Sequence, residues 1–119
     1  MALSEPQLQL CSTLADDVTL TLSLESKTPG PLADDEVWVA VQAAPINPSD
    51  LGLLLAGADL STAKSEGEGS ARKVTATVPA AALALFAGRL GHTLPVGNEG
   101  AGEVVAAGAS AEAQALLGR

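Results

Sequence analysis

The sequence predicts a mainly-β domain with short helices, because alternating segments account for most of its patterned stretches. Residues 7–11 and 18–24 alternate apolar and polar side chains, as half-buried strands do, and the polar residues 15–17 separate them. We therefore expect a β-hairpin. Residues 36–44 predict a third strand, apolar enough to be central in a sheet, and residues 72–78 predict a shorter one. At 119 residues, the chain is long enough for a single modest core.

Helix signals follow the third strand. Asn47 suits an N-cap, Pro48 suits the first helical position, and Asp50 suits the first turn, where a carboxylate faces the positive end of the helix. We expect this helix to run to residue 56 and to stop at Gly57. Two further helices are predicted, over residues 79–89 and 111–117.

The glycines fall in two different settings. Within residues 58–73, where the chain changes character, residues 61–70 are polar and glycine-rich, which is typical of a flexible excursion. In VGNEGAGEVVAAG, residues 97–109, the third glycine of a dinucleotide loop is missing, and a strand-like segment follows instead of a helix. We interpret Gly100 and Gly102 as sites of close backbone approach in a kinked or bulged strand, and Gly108 as the turn into the final helix.

Composition limits the classes of function. Trp38 and Phe86 are the two aromatic residues, so the core must be built from Leu, Val and Ala. A formal charge of −8 excludes a phosphate-backbone partner, since nucleic-acid affinity comes from clustered Lys and Arg. The single cysteine, Cys11, is expected to be a small packed side chain. We expect no signal peptide, no membrane span and a cytoplasmic location.

Two stretches together carry a family resemblance. AAPINPSD, residues 43–50, and GNEGAGEVV, residues 97–105, resemble the GroES-like catalytic domain of the medium-chain dehydrogenase/reductase superfamily. The resemblance is closer to its zinc-free quinone oxidoreductase branch. It implies a GroES-like partial β-barrel with short peripheral helices, incomplete at the C-terminus.

The resemblance also bears on metal binding. In the zinc-dependent alcohol dehydrogenases of this superfamily, the positions that match Asn47 and Asn98 hold a Cys and a His ligand. A neutral amide is a poor replacement for either ligand. Cys11 and His92 lie outside the two motifs, and His92 is expected to be an exposed loop residue. The resemblance therefore implies no catalytic zinc.

The same resemblance assigns roles to individual residues. Ser49 matches the hydroxyl residue that relays protons in the alcohol dehydrogenases, and Ser49 and Asn47 are the candidate catalytic residues. Asn98 would face the cleft as a hydrogen-bond donor, and Glu99 would orient neighbouring backbone. From the residues alone, Asn47 and Asp50 are explained as helix caps, and Trp38 as a core residue. The residues expected to border the substrate and nicotinamide cleft are Asn47, Pro48, Ser49, Asp50, Asn98 and Glu99.

By resemblance, residues 1–119 are the catalytic-domain fragment of a zinc-independent, NADPH-dependent enzyme that reduces quinones or conjugated carbonyls. NADPH would be bound mostly by a Rossmann domain absent from this chain, so the fragment alone is expected to be inactive. The full-length enzyme is expected to be a homodimer. Residues 58–94 are longer than the usual link in this branch and are interpreted as a subfamily insertion. The alternatives are an enoyl reductase of the same superfamily, or a stand-alone GroES-like binding or co-chaperonin module.

Overall fold

The structure is a computed structural model that describes residues 5–119. Strands contain 43% of these residues and helices 22%, which confirms the predicted mainly-β class. Two antiparallel sheets are present, and neither closes into a barrel. The strands are β1 (Gln7–Leu14), β2 (Thr19–Lys27), β3 (Val37–Ala43), β4 (Asp59–Glu66), β5 (Lys73–Thr77), β6 (His92–Pro95) and β7 (Ala101–Ala107). The helices are α1 (Pro48–Leu55), α2 (Ala80–Phe86) and α3 (Ala111–Gln114).

The described residues divide into two compact units. The first, called here the five-stranded unit, comprises Gln7–Lys27 and Ile46–Gly97. Its sheet has the strand order β4-β5-β2-β1-β6, with each neighbouring pair antiparallel. The second, called the two-stranded unit, includes Thr28–Pro45 and Asn98–Arg119 and contains β3 paired with β7.

The predicted hairpin is confirmed as β1 and β2, which pair from Gln7–Lys27 to Leu14–Leu20. The turn is closed by the N–H of Ala15, which donates to the carbonyl oxygen of Thr19 at 3.0 Å. The carboxylate of Asp17 accepts from the N–H of Thr19 at 3.1 Å. The acidic turn residue therefore satisfies a backbone donor at the point where the second strand begins.

The core of the five-stranded unit is aliphatic, as the composition predicts. Leu14 and Leu20 are fully buried on one face of the hairpin, and they cluster with the buried Ala56 and Val78. Strands place alternate side chains on one face, so the same face continues along the paired positions of the neighbouring strands. The partly buried residues packed against this cluster are Leu22, Ala58, Ala82, Leu83, Phe86 and Leu90.

The prediction of a flexible excursion over residues 61–70 is wrong. Residues 61–66 belong to β4, an edge strand paired with β5, and residues 69–71 form a 3-10 turn, although every residue of β4 is exposed. An edge strand that is open to solvent does not need an apolar face, so its sequence shows no alternation. A register irregularity falls between Asp59 and Lys64, where the hydroxyl of Thr62 accepts from the N–H of Thr77 at 2.9 Å.

His92 is exposed, as predicted, but it begins β6 rather than lying in a loop. β6 pairs with β1 through residues 93–95. Cys11, opposite Pro95 in this pairing, is 2% exposed, which confirms the expected packed thiol.

The helices agree with their predicted starts. α1 begins at Pro48 and ends at Leu55, with Ala56 and Gly57 following in left-handed backbone conformations. α2 covers the first part of the predicted 79–89 helix, and a 3-10 turn over Ala87–Arg89 completes it. α3 is shorter than predicted, and its N-cap Ser110 accepts from the N–H of Ala113 at 3.1 Å.

β3 is not central, contrary to the prediction, because its sheet contains only β7 beside it among the described residues. Its valines show the consequence: Val39 and Val41 are 44% and 64% exposed. Trp38 is half-buried rather than a core residue. An apolar strand can lie in the middle of a large sheet or in a two-stranded sheet, and its composition alone does not distinguish these two positions.

Gly102 has the close backbone approach that the sequence predicts. It pairs with Val41, in a ladder whose register shifts between Trp38 and Val39 and again between Val41 and Ala43. A Cβ at position 102 would overlap the carbonyl oxygen of Ala40. The absence of a side chain at Gly102 therefore allows β3 and β7 to approach here.

Substitution Gly102→Ala should lower the free energy of unfolding by about 2–3 kcal/mol, since the overlap is with backbone that cannot rotate away. Urea denaturation followed by circular dichroism measures this loss. Gly88→Ala is the matched control, because a Cβ there meets nothing within 4 Å. Equal stability of the two variants would contradict the close approach at Gly102.

Candidate functional site

The first part of the predicted site is the N-terminus of α1, in the five-stranded unit. Asn47 has an extended backbone at the N-cap, and Pro48 occupies the first turn, where its missing N–H costs no hydrogen bond. Asp50 completes a capping box, with its carboxylate accepting from the N–H of Asn47 at 2.8 Å. The capping interpretation of Asn47 and Asp50 is therefore confirmed.

These residues differ sharply in accessibility. Asp50 is 6% exposed, Asn47 is half-buried, and Pro48 and Ser49 are exposed. Ile46, immediately before the cap, is 86% exposed. The buried carboxylate thus has a structural role in fixing the turn, while the Ser49 hydroxyl is the accessible polar group of the segment.

The second part of the predicted site belongs to the two-stranded unit. Asn98 and Glu99 are exposed and lie in the bend that precedes β7. Ala101, at the start of β7, pairs with Ala43 at the end of β3. Residues 43–45 of the AAPINPSD stretch and residues 99–101 of the GNEGAGEVV stretch are therefore neighbours at this end of the ladder.

A shallow depression of about 510 Å³ lies at the same end of the two-stranded unit. One wall comes from residues 43–45 and the other from residues 99–101, so each resemblance stretch contributes three consecutive residues. Most of this lining is small or apolar, and the Glu99 carboxylate is its charged group. The volume of the depression lies within the range of small-molecule sites.

The structure thus brings Glu99 together with the start of the first stretch. Asn47, Pro48, Ser49 and Asp50 fold in one unit, and Asn98 and Glu99 fold in the other. A shared cleft between Asn47 and Asn98 stays a prediction.

Comparison of the sequence with protein-family models gives no match, and comparison with curated proteins gives none either.

Two further observations concern metals and membranes. Within residues 5–119, no three His, Cys, Asp or Glu side chains are grouped so that they could hold a metal ion. Over the same residues, none of the helices combines the length and the apolar character that crossing a bilayer requires.

A second depression, of about 420 Å³, lies on the five-stranded sheet and is not predicted by the sequence. It is formed where β4, β5 and the start of β2 lie side by side. The alternating threonines of β5 are visible in the sequence. The depression is not predicted because the sequence does not show that residues 59–66 form the neighbouring strand β4. Its lining residues are Thr19, Thr62, Lys64, Thr75, Ala76 and Thr77.

Substitution Asp50→Ala should lower the free energy of unfolding by about 1–2 kcal/mol, because it leaves the N–H of Asn47 without its carboxylate acceptor in a half-buried turn. The exposed neighbour provides the control: Ser49→Ala should change stability by less than about 0.5 kcal/mol. Thermal and urea denaturation of both variants measure the difference. Loss of similar size in both would show that the Asp50 carboxylate does not fix the turn.

Proposed function

We propose that this chain is the catalytic-domain portion of a zinc-independent, NADPH-dependent oxidoreductase that reduces quinones or conjugated carbonyls. The nicotinamide nucleotide would be bound mainly by residues outside these 119, in a Rossmann domain. Ser49 and Asn47 are the proposed catalytic residues, and Pro48, Asp50, Asn98 and Glu99 border the cleft.

One observation carries the proposal: residues 43–45 and 99–101, one triplet from each resemblance stretch, line the same depression. The sequences of the two stretches are separated by about half the chain, so their meeting requires the tertiary fold. The pairing of Ala43 with Ala101 accounts for it, because the two stretches run on from adjacent strand ends. Two motifs that form one site have to meet in this way.

The chemistry follows from the residue types. Hydride transfer from NADPH to a quinone or enone leaves a delocalised anion, which hydrogen-bond donors can stabilise without a Lewis acid. The side-chain amides of Asn47 and Asn98 are donors of this kind. The hydroxyl of Ser49, exposed at the start of α1, would then relay a proton to the reduced oxygen, donating its own proton and taking one from solvent water.

The alternatives from the sequence differ in substrate or in assembly. An enoyl reductase would use the same donors on an enoyl thioester. A co-chaperonin module would need a mobile loop, whereas the polar segment that could supply it forms β4 in the five-stranded sheet. That pairing favours the oxidoreductase over the co-chaperonin.

Binding of a quinone to this chain tests the proposal without the nucleotide domain. The probe is a water-soluble benzoquinone substituted at every ring carbon, because full substitution blocks addition to the Cys11 thiol. We expect amide NMR shifts of Ser49, Asp50, Glu99 and Gly100 to move together on titration, and those of β4 to stay fixed. A saturated cyclohexanedione of similar size should cause smaller shifts at the same residues.

The variant Ser49→Ala should retain quinone binding, because the hydroxyl is proposed to transfer a proton and not to bind the quinone. Asn98→Ala should weaken binding about 5- to 10-fold, as expected for a lost hydrogen bond to a polar ligand. Ser65→Ala, on exposed β4, is the matched control and should bind as the wild type does. Quinone-induced shifts confined to other residues would contradict the proposed cleft, and a ring-sized particle in analytical ultracentrifugation would favour the co-chaperonin instead.

A further inference from the structure

The carbonyl end of α1 is satisfied in an unusual way. A helix leaves its last four carbonyl oxygens without intrahelical partners, and here each has an identified donor. Gly52 and Leu55 accept from the backbone N–H groups of Ala56 and Ala58, at 3.0 and 2.8 Å. The other two oxygens, those of Leu53 and Leu54, accept from side chains of distant segments.

Arg89 supplies the first of these side-chain donors. It ends the 3-10 turn after α2, and its Nη1 donates to the carbonyl oxygen of Leu53 at 2.6 Å. Its Nη2 lies 3.1 Å from the hydroxyl oxygen of Ser12 and 3.3 Å from the carbonyl oxygen of Ser12, on β1. One guanidinium therefore joins α1 to the central hairpin.

Ser12 supplies the second donor. It is fully buried, and its hydroxyl donates to the carbonyl oxygen of Leu54 at 2.8 Å. The same hydroxyl oxygen accepts from Nη2 of Arg89, so Ser12 connects the guanidinium to the Leu54 carbonyl oxygen. Burial lowers the pKa of the Arg89 guanidinium from its usual value, by desolvation of the charge. A cation at the carbonyl end of a helix nonetheless complements the helix dipole.

α1 depends on such contacts because it is only eight residues long. An isolated helix of this length is unstable in water, so its position is set by tertiary contacts. Its opposite end carries Asn47, Ser49 and Asp50, the residues of the candidate site. A shift of the carbonyl end along β1 would therefore move these three residues as well.

We propose that Arg89 is a positioning residue for the candidate site: by joining the Leu53 carbonyl oxygen to Ser12, it fixes α1 against β1 and so places Ser49 and Asp50. This inference rests on the proposed function where it concerns quinone binding, and on the contacts alone where it concerns α1. Arg89 itself contacts neither substrate nor cofactor.

The test compares Arg89→Gln with Arg89→Lys by amide hydrogen exchange and NMR. Loss of charge-assisted hydrogen bonds should speed the exchange of residues 52–56 in Arg89→Gln about 10-fold or more. Amide shifts of Ser49 and Asp50 should change as well. Exchange in the central strands β1 and β2 should stay within about 3-fold of the wild type, because local opening need not involve the whole core. Arg89→Lys keeps the cation at the helix end and should recover a large part of both changes.

Arg72→Gln is the matched control, since Arg72 is exposed and its loss removes the same charge. It should leave α1 and quinone binding unchanged. A uniform rise in exchange across α1, β1 and β2, or no change at Ser49 and Asp50 in Arg89→Gln, would overturn the positioning role. Should Arg89→Gln fail to fold, Ser12→Ala gives the same readout from the other side of the network, with residues 52–56 again expected to exchange faster.

Quinone titration of the same variants separates the two proposals. A weaker response at Ser49 in Arg89→Gln, restored by Arg89→Lys, supports both. If the wild-type chain gives no quinone response, the proposed function fails. The exchange and shift changes of α1 in Arg89→Gln then decide the positioning role by themselves.

Discussion

The fold of the five-stranded unit depends on burying one aliphatic face of the β1–β2 hairpin. Leu14 and Leu20 are opposite each other in the ladder and are essentially inaccessible, so the helices must cover that face closely. The chain has few aromatic side chains, so each core residue removes only a small apolar area from water. The aliphatic side chains therefore have to pack tightly to exclude water. Ala56, at the end of α1, and Val78, before α2, are buried for this reason. The position of α1 thus depends partly on the core, through Ala56, and the residues of the candidate site at its start depend on that position as well.

Local sequence signals predicted the parts of the fold that depend on short-range physics. The hairpin followed from alternation, and α1 followed from Asn47, Pro48 and Asp50, because capping contacts join residues only three apart. The structure reproduces both in detail. Gly102 was also predictable, since two glycines within a β-branched segment have few explanations other than close backbone approach.

Long-range pairing could not be predicted in the same way. β4 carries no apolar periodicity because neither of its faces is buried, so only its pairing with β5 defines it as a strand. β3 has the opposite character: its valines indicate burial, yet its sheet has two strands and Val41 is largely exposed. The contact of Arg89 with Leu53 joins residues 36 apart, and no spacing rule links an arginine after one helix to the end of another. The meeting of residues 43–45 with residues 99–101 belongs to this class too.

Capping and the proposed catalysis make different demands on the Asn-Pro-Ser-Asp segment, because a cap needs a buried acceptor and proton transfer needs an accessible group. Asp50 is buried, and its carboxylate accepts a hydrogen bond from the N–H of Asn47, so this side chain stabilises the backbone at the start of α1. Ser49 is exposed, so its hydroxyl is accessible for the proposed proton transfer. A rigid cap would help such a serine, because proton transfer requires a fixed donor position within hydrogen-bond reach. The capping role of Asp50 is therefore compatible with the proposed role of Ser49, and the contacts of Arg89 and Ser12 hold the other end of α1.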